Sequence, residues 1–169
     1  MNADELRQIQ APLKARYKED PGAALVTLRS VGRVEQGTLT CVLETGKPGI
    51  PAGPHPAVGG DGSAACSGDM LLESLVACAG VTVASVATAM GIVLTQAKVV
   101  AEGELDFRGT LGVARDAPVG FASIRCHFVI EADAPPEKIR KLVELSERYC
   151  VILQTLKHSP ALTVEVNAP

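Results

Sequence analysis

Five cysteines, Cys41, Cys66, Cys78, Cys126 and Cys150, are the residues of this 169-residue chain with the widest chemical reach. A thiolate is a nucleophile and can be oxidised stepwise and reduced again. Their odd number and wide spacing, in a chain whose first residues carry no export signal, argue against a structural disulfide framework. Cys41 and Cys126 fall in phase with alternating apolar residues, which is core packing by default. Cys66 lies just before a helix start, where unpaired N–H groups and the helix dipole favour a thiolate, so electrostatics alone make it the most activated of the five. Cys78 and Cys150 each sit on the apolar stripe of a helix, 72 residues apart in sequence (150 − 78). Two helices covering the same strands pack stripe to stripe, so a redox contact and a simple filling of a narrow interface both remain open.

Cys78 lies about three turns into its helix, beyond the reach of the N-terminal dipole, so ionising it there calls for a nearby cation. Arg29 and Arg33 are the candidates, because a guanidinium stays charged when partly buried and can bind a peroxide oxygen; as strand-end charges in solvent they would do neither. The metal reading is weak. The three histidines, His55, His127 and His158, are scattered, and Cys126 and His127 leave a strand on opposite faces, so no zinc spacing exists and no cofactor is expected. The run Gly59-Gly60-Asp61-Gly62-Ser63 lacks the Lys-Ser/Thr of a phosphate loop, and His55 is either a loop base or a residue that orders its loop.

These side chains need elements to hold them. Ser67 to Met90 reads as a long helix with Leu71, Leu72, Leu75, Cys78, Ala79, Thr82 and Val86 on its apolar face, Ser67 as N-cap, Asp69 in the first turn and Gly91 as the stop. Residues 3 to 18 predict a polar amphipathic helix with Leu6, Ile9 and Leu13 inward, interrupted by Pro12. Ala24–Val31 and Gly37–Glu44 predict a hairpin, followed by a long Gly- and Pro-rich loop to Cys66. Ala97–Arg108 and Phe121–Ala132 alternate as strands. Pro135-Pro136 opens a second helix with Ile139, Leu142, Val143, Ser146 and Tyr149/Cys150 inward, and Leu162–Val166 predicts a last strand. Hairpins in place of βαβ crossovers predict an α+β fold with mainly antiparallel sheet.

Bulk properties set the outer limits. At 47% hydrophobic residues and a mean hydropathy of +0.21, the chain is globular, and its length predicts an N-terminal helical arm (1–22) on a single domain (23–169). A net charge of −3 removes the electrostatic case for nucleic acid or an anionic membrane. The mixed-charge N-terminus has no apolar signal region, and no stretch reads as about 20 uninterrupted apolar residues, so a cytoplasmic location is expected.

Three stretches resemble the OsmC/Ohr family of osmotically inducible and organic-hydroperoxide-resistance proteins: GGDGSAACSGDMLLESLVACAG (59–80), GELDFRGTLGV with APVGF (103–113 and 117–121), and ERYCVILQTLK (147–157). The resemblance implies an OsmC-like fold, an intertwined homodimer with sheets wrapped around two long central helices. It also implies a thiol-dependent peroxidase in which Cys78 attacks the peroxide, Cys150 resolves the sulfenic acid as a disulfide, and a dithiol reductant regenerates the pair. The chain departs from the family pattern twice. Cys150 is followed by Val151 where family peroxidases have proline, and Asp69 is the only counterpart of their activating glutamate. The expected function is reduction of organic hydroperoxides. A non-catalytic relative that binds an apolar small molecule or senses redox state is the alternative.

Overall fold

In the computed structural model the described residues are 2–19, 32–35, 40–43, 51–112 and 114–166. The element that positions the rest is a 24-residue helix, α2 (Ser67–Met90). It ends as the sequence predicts, on Gly91, whose φ of 66° is the left-handed conformation that glycine accepts without penalty and whose N–H returns to the helix carbonyls. Its start differs by one residue. Cys66, not Ser67, is the N-cap, and no side-chain hydrogen bond closes it.

The other helices are α1 (Ala3–Glu19), the four-residue α3 (Phe107–Thr110), α4 (Pro136–Tyr149) and α5 (Val151–Lys157). A reciprocal cap fixes the start of α1, with the Asn2 side chain accepting from the Glu5 N–H and the Glu5 carboxylate accepting from the Asn2 N–H, both at 2.9 Å. It packs on α2 and runs through Pro12 without the expected interruption.

Two sheets flank α2. One has the order β1 (Gly32–Glu35), β2 (Thr40–Leu43), β3 (Pro51–Gly53), β4 (Ala65–Cys66), with antiparallel pairs except for the short parallel contact of β3 with β4. β1 and β2 form an antiparallel pair in which β2 lies within the expected second strand, Gly37–Glu44, while the expected first strand, Ala24–Val31, lies outside the described residues. The predicted long loop contains β3, a 3₁₀ turn at Pro56–Val58 and β4. The second sheet is the antiparallel pair β5 (Leu94–Leu105) and β6 (Phe121–Ala132), in register from Leu94↔Ala132 to Leu105↔Phe121. The register shifts between Glu104 and Leu105, and Phe121 lies over Gly103, where an added Cβ would be 2.6 Å from the ring and would force it to move.

On β6, Ile124, Cys126, Phe128 and Ile130 lie inward and the residues between them face solvent, as the alternation predicts, but Ala122, expected on the inward face, is exposed. Asp106 and Arg108, expected at the end of β5, instead belong to α3, where Asp106 caps the helix and pairs with the guanidinium. The core lies between α2 and the β5–β6 layer, closed from the other side by α4 and α5. Leu75, Ala79, Val83 and Ala87 form the buried line of α2, and Leu142 of α4 is fully buried. Removing a leucine of this kind from water contributes about 1.5–3 kcal/mol.

Three expectations are corrected. Tyr149 is exposed, and the inward residue at that point is Cys150. The 162–166 segment pairs with no strand among the described residues, and Leu162, Val164 and Val166 are each more than 80% exposed. By length and composition α2 is apolar enough to cross a membrane, with a mean hydropathy of 1.9 over its most apolar stretch. Its contacts with β5, α4 and α5 make it instead the core helix of this fold.

Candidate active site

The second helical region is interrupted at Cys150. This residue ends α4 and caps α5 with φ −74° and ψ 107°, an extended conformation between two helical segments. Its own backbone stays satisfied: the N–H donates to the Ser146 carbonyl at 3.0 Å, and its carbonyl accepts from the Gln154 N–H at 2.9 Å. Cys150 is fully buried between the exposed Tyr149 and Val151. There it joins Leu75, Ala79 and Leu153 in one cluster, with Cys78 and Ile152 packed at its edge.

Two thiols are therefore brought together, one from α2 and one from the α4–α5 break, with Cys78 packed against the cluster that buries Cys150. Their electrostatics differ. Partial burial pushes the Cys78 thiol up, but the main-chain N–H of Ile152, the Cys150 thiol and the N–H of Val151 all favour its thiolate, and together they outweigh burial and hold it below the usual cysteine range. Thr82 acts least; its hydroxyl proton goes to the Cys78 carbonyl at 2.7 Å. Burial drives Cys150 the other way, against the N–H of Leu153, and the neighbouring Cys78 adds to the rise. The pair is thus made unequal in acidity, Cys78 shifted down and Cys150 up. All four cysteines with described side chains, Cys66, Cys78, Cys126 and Cys150, are free thiols.

Beside the pair, a cavity of about 720 Å³ opens between Leu71 and Leu75 of α2, the Phe121–Phe128 stretch of β6, and Leu153 and Leu156 of α5. Leu75 and Leu153 belong both to its wall and to the cluster around Cys150. Cys126 lines this cavity as well. Burial, with the negative charge of Glu147, holds its thiol above the ordinary range, which suits an inert packing residue.

The remaining candidates lie elsewhere. Cys66 lines a smaller cavity of about 280 Å³ with Asp69, His55, Phe107 and Phe121. His55 stacks on Phe107 with ring centroids 5.1 Å apart, and its Nδ1 accepts from the Ala57 N–H, so it orders its loop. Asp69 sits nine residues before Cys78, roughly 13 Å along the helix at about 1.5 Å per residue. Arg33 is placed by its backbone on β1 opposite Val42; its side chain, like all of Arg29, lies outside the described residues. Among the described residues no cluster of three His, Cys, Asp or Glu side chains is arranged for a metal ion.

Sequence reasoning brought Cys78 and Cys150 forward but missed the groups that polarise them, the N–H donors of Val151 and Ile152. The one available signal was Val151 itself, a residue with an N–H where proline has none.

A family model for the OsmC-like protein matches residues 60–165. Among solved structures, an OsmC-like protein from Mycoplasma pneumoniae aligns over 79% of this chain and 89% of its own, with a TM-score of 0.66 at 16% identity. An organic hydroperoxide resistance protein from Legionella pneumophila aligns over 79% and 93%, with a TM-score of 0.61 at 16% identity. Another, from Elizabethkingia anophelis, aligns over 80% and 91%, with a TM-score of 0.61 at 15% identity. No curated protein sequence matches significantly. Likeness at these identities establishes the fold.

Proposed function

From the premise that the chain belongs to the OsmC-like family, we propose that it is a thiol-dependent peroxidase that reduces organic hydroperoxides through Cys78 and Cys150. The observation that carries the reading is the packing of the half-buried Cys78 against the cluster that buries Cys150, with the Cys78 thiol shifted down in pKa and the Cys150 thiol shifted up. The Cys78 thiolate attacks the terminal peroxide oxygen, the O–O bond breaks, and the alkoxide leaves as an alcohol after taking up a proton. Cys78 is left as a sulfenic acid. Cys150 then attacks the Cys78 sulfur, hydroxide leaves as water with the Cys150 proton, and the new S–S bond is reduced by an external dithiol. Either Arg29 or Arg33 is the guanidinium that binds the peroxide, with Asp69 orienting it.

The Leu-, Ile- and Phe-lined cavity favours a peroxide with an apolar tail over hydrogen peroxide. It also supports the second reading, a carrier of an apolar small molecule without turnover. Steady-state peroxide consumption with a small dithiol separates the two. The peroxidase reading expects turnover with a higher kcat/KM for an aryl or alkyl hydroperoxide than for hydrogen peroxide; binding without consumption would favour the carrier.

The chain acts as a homodimer in this proposal. Only four residues of α2, Leu75, Ala79, Val83 and Ala87, are buried within one copy, and Val81 on its outer side is 69% exposed. The alternating Leu162, Val164 and Val166 are likewise without cover, and apolar surface of this extent is what a second copy buries. Sedimentation is expected to give twice 17.6 kDa, and a monomer at micromolar concentration would remove the dimer from the proposal. A cycle closed by a dithiol suits a reducing compartment, so we place the protein in the cytoplasm.

A further inference from the structure

The wall of the cavity of about 720 Å³ is mostly apolar, and charge enters it at one place. Of the described residues that line it, only Glu147 of α4 and Lys157 of α5 are charged. Each is the other's partner, with Lys157 Nζ 3.2 Å from Glu147 Oε2. Glu147 is anchored a second time through its main-chain carbonyl, which accepts from Gln154 Nε2 at 2.8 Å. Its Oε1 accepts no hydrogen bond among the described residues.

The two charges do not reach the cavity equally. The Glu147 side chain is the more buried, at 43% exposure against 52% for Lys157. A lysine on its flexible stem keeps its ammonium in water, so Lys157 screens the carboxylate from the outer side. Cys126 in the cavity wall registers the same sign of charge, since Glu147 adds to the rise that burial causes in its thiol.

We propose that Glu147 is a specificity-determining residue of this cavity, which admits uncharged hydroperoxides with an apolar tail and turns away those that carry a carboxylate. A bound carboxylate must either lie beside the Glu147 oxygens or take Lys157 from them and leave Glu147 unpaired. An uncharged ligand meets neither penalty. The inference deepens the peroxidase reading and rests on it for the substrate, whereas the choice between charged and uncharged ligands belongs to the cavity whether or not peroxide is consumed.

Cumene hydroperoxide and its para-carboxylate share one reacting centre and differ by one negative charge. The readout is the ratio of their kcat/KM values with a small dithiol at neutral pH. Both react at the same thiol, so any effect of a variant on the thiol chemistry divides out. The unmodified protein is expected to prefer the uncharged substrate by about tenfold, the size of a partly screened like-charge contact near a protein surface. Glu147→Gln keeps the main-chain carbonyl that Gln154 uses and should bring the ratio close to one, while Lys157→Met should widen it. No preference or the opposite preference in the unmodified protein, or a ratio that Glu147→Gln leaves unchanged, overturns the proposal.

The corresponding alcohols lack the O–O bond and test the cavity without turnover. Titrated into the protein and followed by the amide resonances of β6 and α5, cumyl alcohol should bind more tightly than its para-carboxylate by the same factor. Equal affinities, or no binding of cumyl alcohol, overturn the assignment. The expected preference in a protein that consumes no peroxide would keep Glu147 as the selector and remove the peroxidase reading. Turnover without discrimination would keep that reading and remove Glu147.

Discussion

Cys78→Ser is expected to abolish dithiol-dependent peroxide consumption, lowering kcat/KM by roughly a thousandfold or more, because a serine hydroxyl cannot supply the anionic nucleophile near neutral pH. The fold should survive. The side chain is half-buried at the edge of the cluster, and serine can use the same donors from Val151 and Ile152. The pH profile of the unmodified protein gives the sign. Since the donors hold Cys78 below the ordinary cysteine range, the rate should rise with pH and level off earlier than for a free cysteine, falling about tenfold per pH unit on the acid side. Undiminished turnover in Cys78→Ser would move the nucleophile elsewhere, and Cys66, at the N-cap of α2, would be the next thiol to test.

Cys150→Ala has a different signature. The first peroxide equivalent should still react, slowed by less than about tenfold through loss of the neighbouring thiol that favours the Cys78 thiolate, but steady-state turnover with a dithiol should collapse. Cys78 should then accumulate as a sulfenic acid that a cyclic 1,3-dione traps, and with excess peroxide it should pass to the sulfinic acid. Alanine is the better replacement because the site is fully buried and apolar, and a serine hydroxyl there would have to find an acceptor. A Cys150→Ala protein that turns over at the original rate would show that some other thiol resolves the sulfenate.

The residues that could be read in advance are those whose pattern is local. The apolar period of 67–90 and its closing glycine place α2 to within a residue, and the strict alternation of 121–132 gives β6 with its inward face. Position 162–166 alternates just as well, but period two says only that a segment fits a sheet, not that this chain holds the sheet it fits. Gly32–Glu35, a strand in the structure, lay in the sequence reading between the two expected strands, because its single glycine reads as a turn signal.

The site divides along the same line. Apolar stripes point to Cys78 and Cys150 because each lies on a helix face, and packing those faces brings them together. The break at Cys150 leaves no mark in the pattern, for neither glycine nor proline stands there and the apolar spacing of Leu142, Ser146, Cys150 and Leu153 runs through it unbroken. At the break the Gln154 side chain donates to the Glu147 carbonyl, and the Gln154 backbone N–H donates to the Cys150 carbonyl. The difference in acidity between the thiols follows from that tertiary arrangement, above all from the burial of Cys150.

The central claim is that peroxide drives Cys78 and Cys150, and no other pair, into one disulfide. One equivalent of an organic hydroperoxide, acid quenching within seconds, alkylation of the remaining thiols and peptide mass spectrometry test it directly. A Cys78–Cys150 cross-link formed in step with peroxide loss and reversed by a dithiol is the predicted result. A Cys78 peptide that reaches the sulfonic acid without passing through that cross-link, or a disulfide that pairs Cys78 with another cysteine, would contradict it.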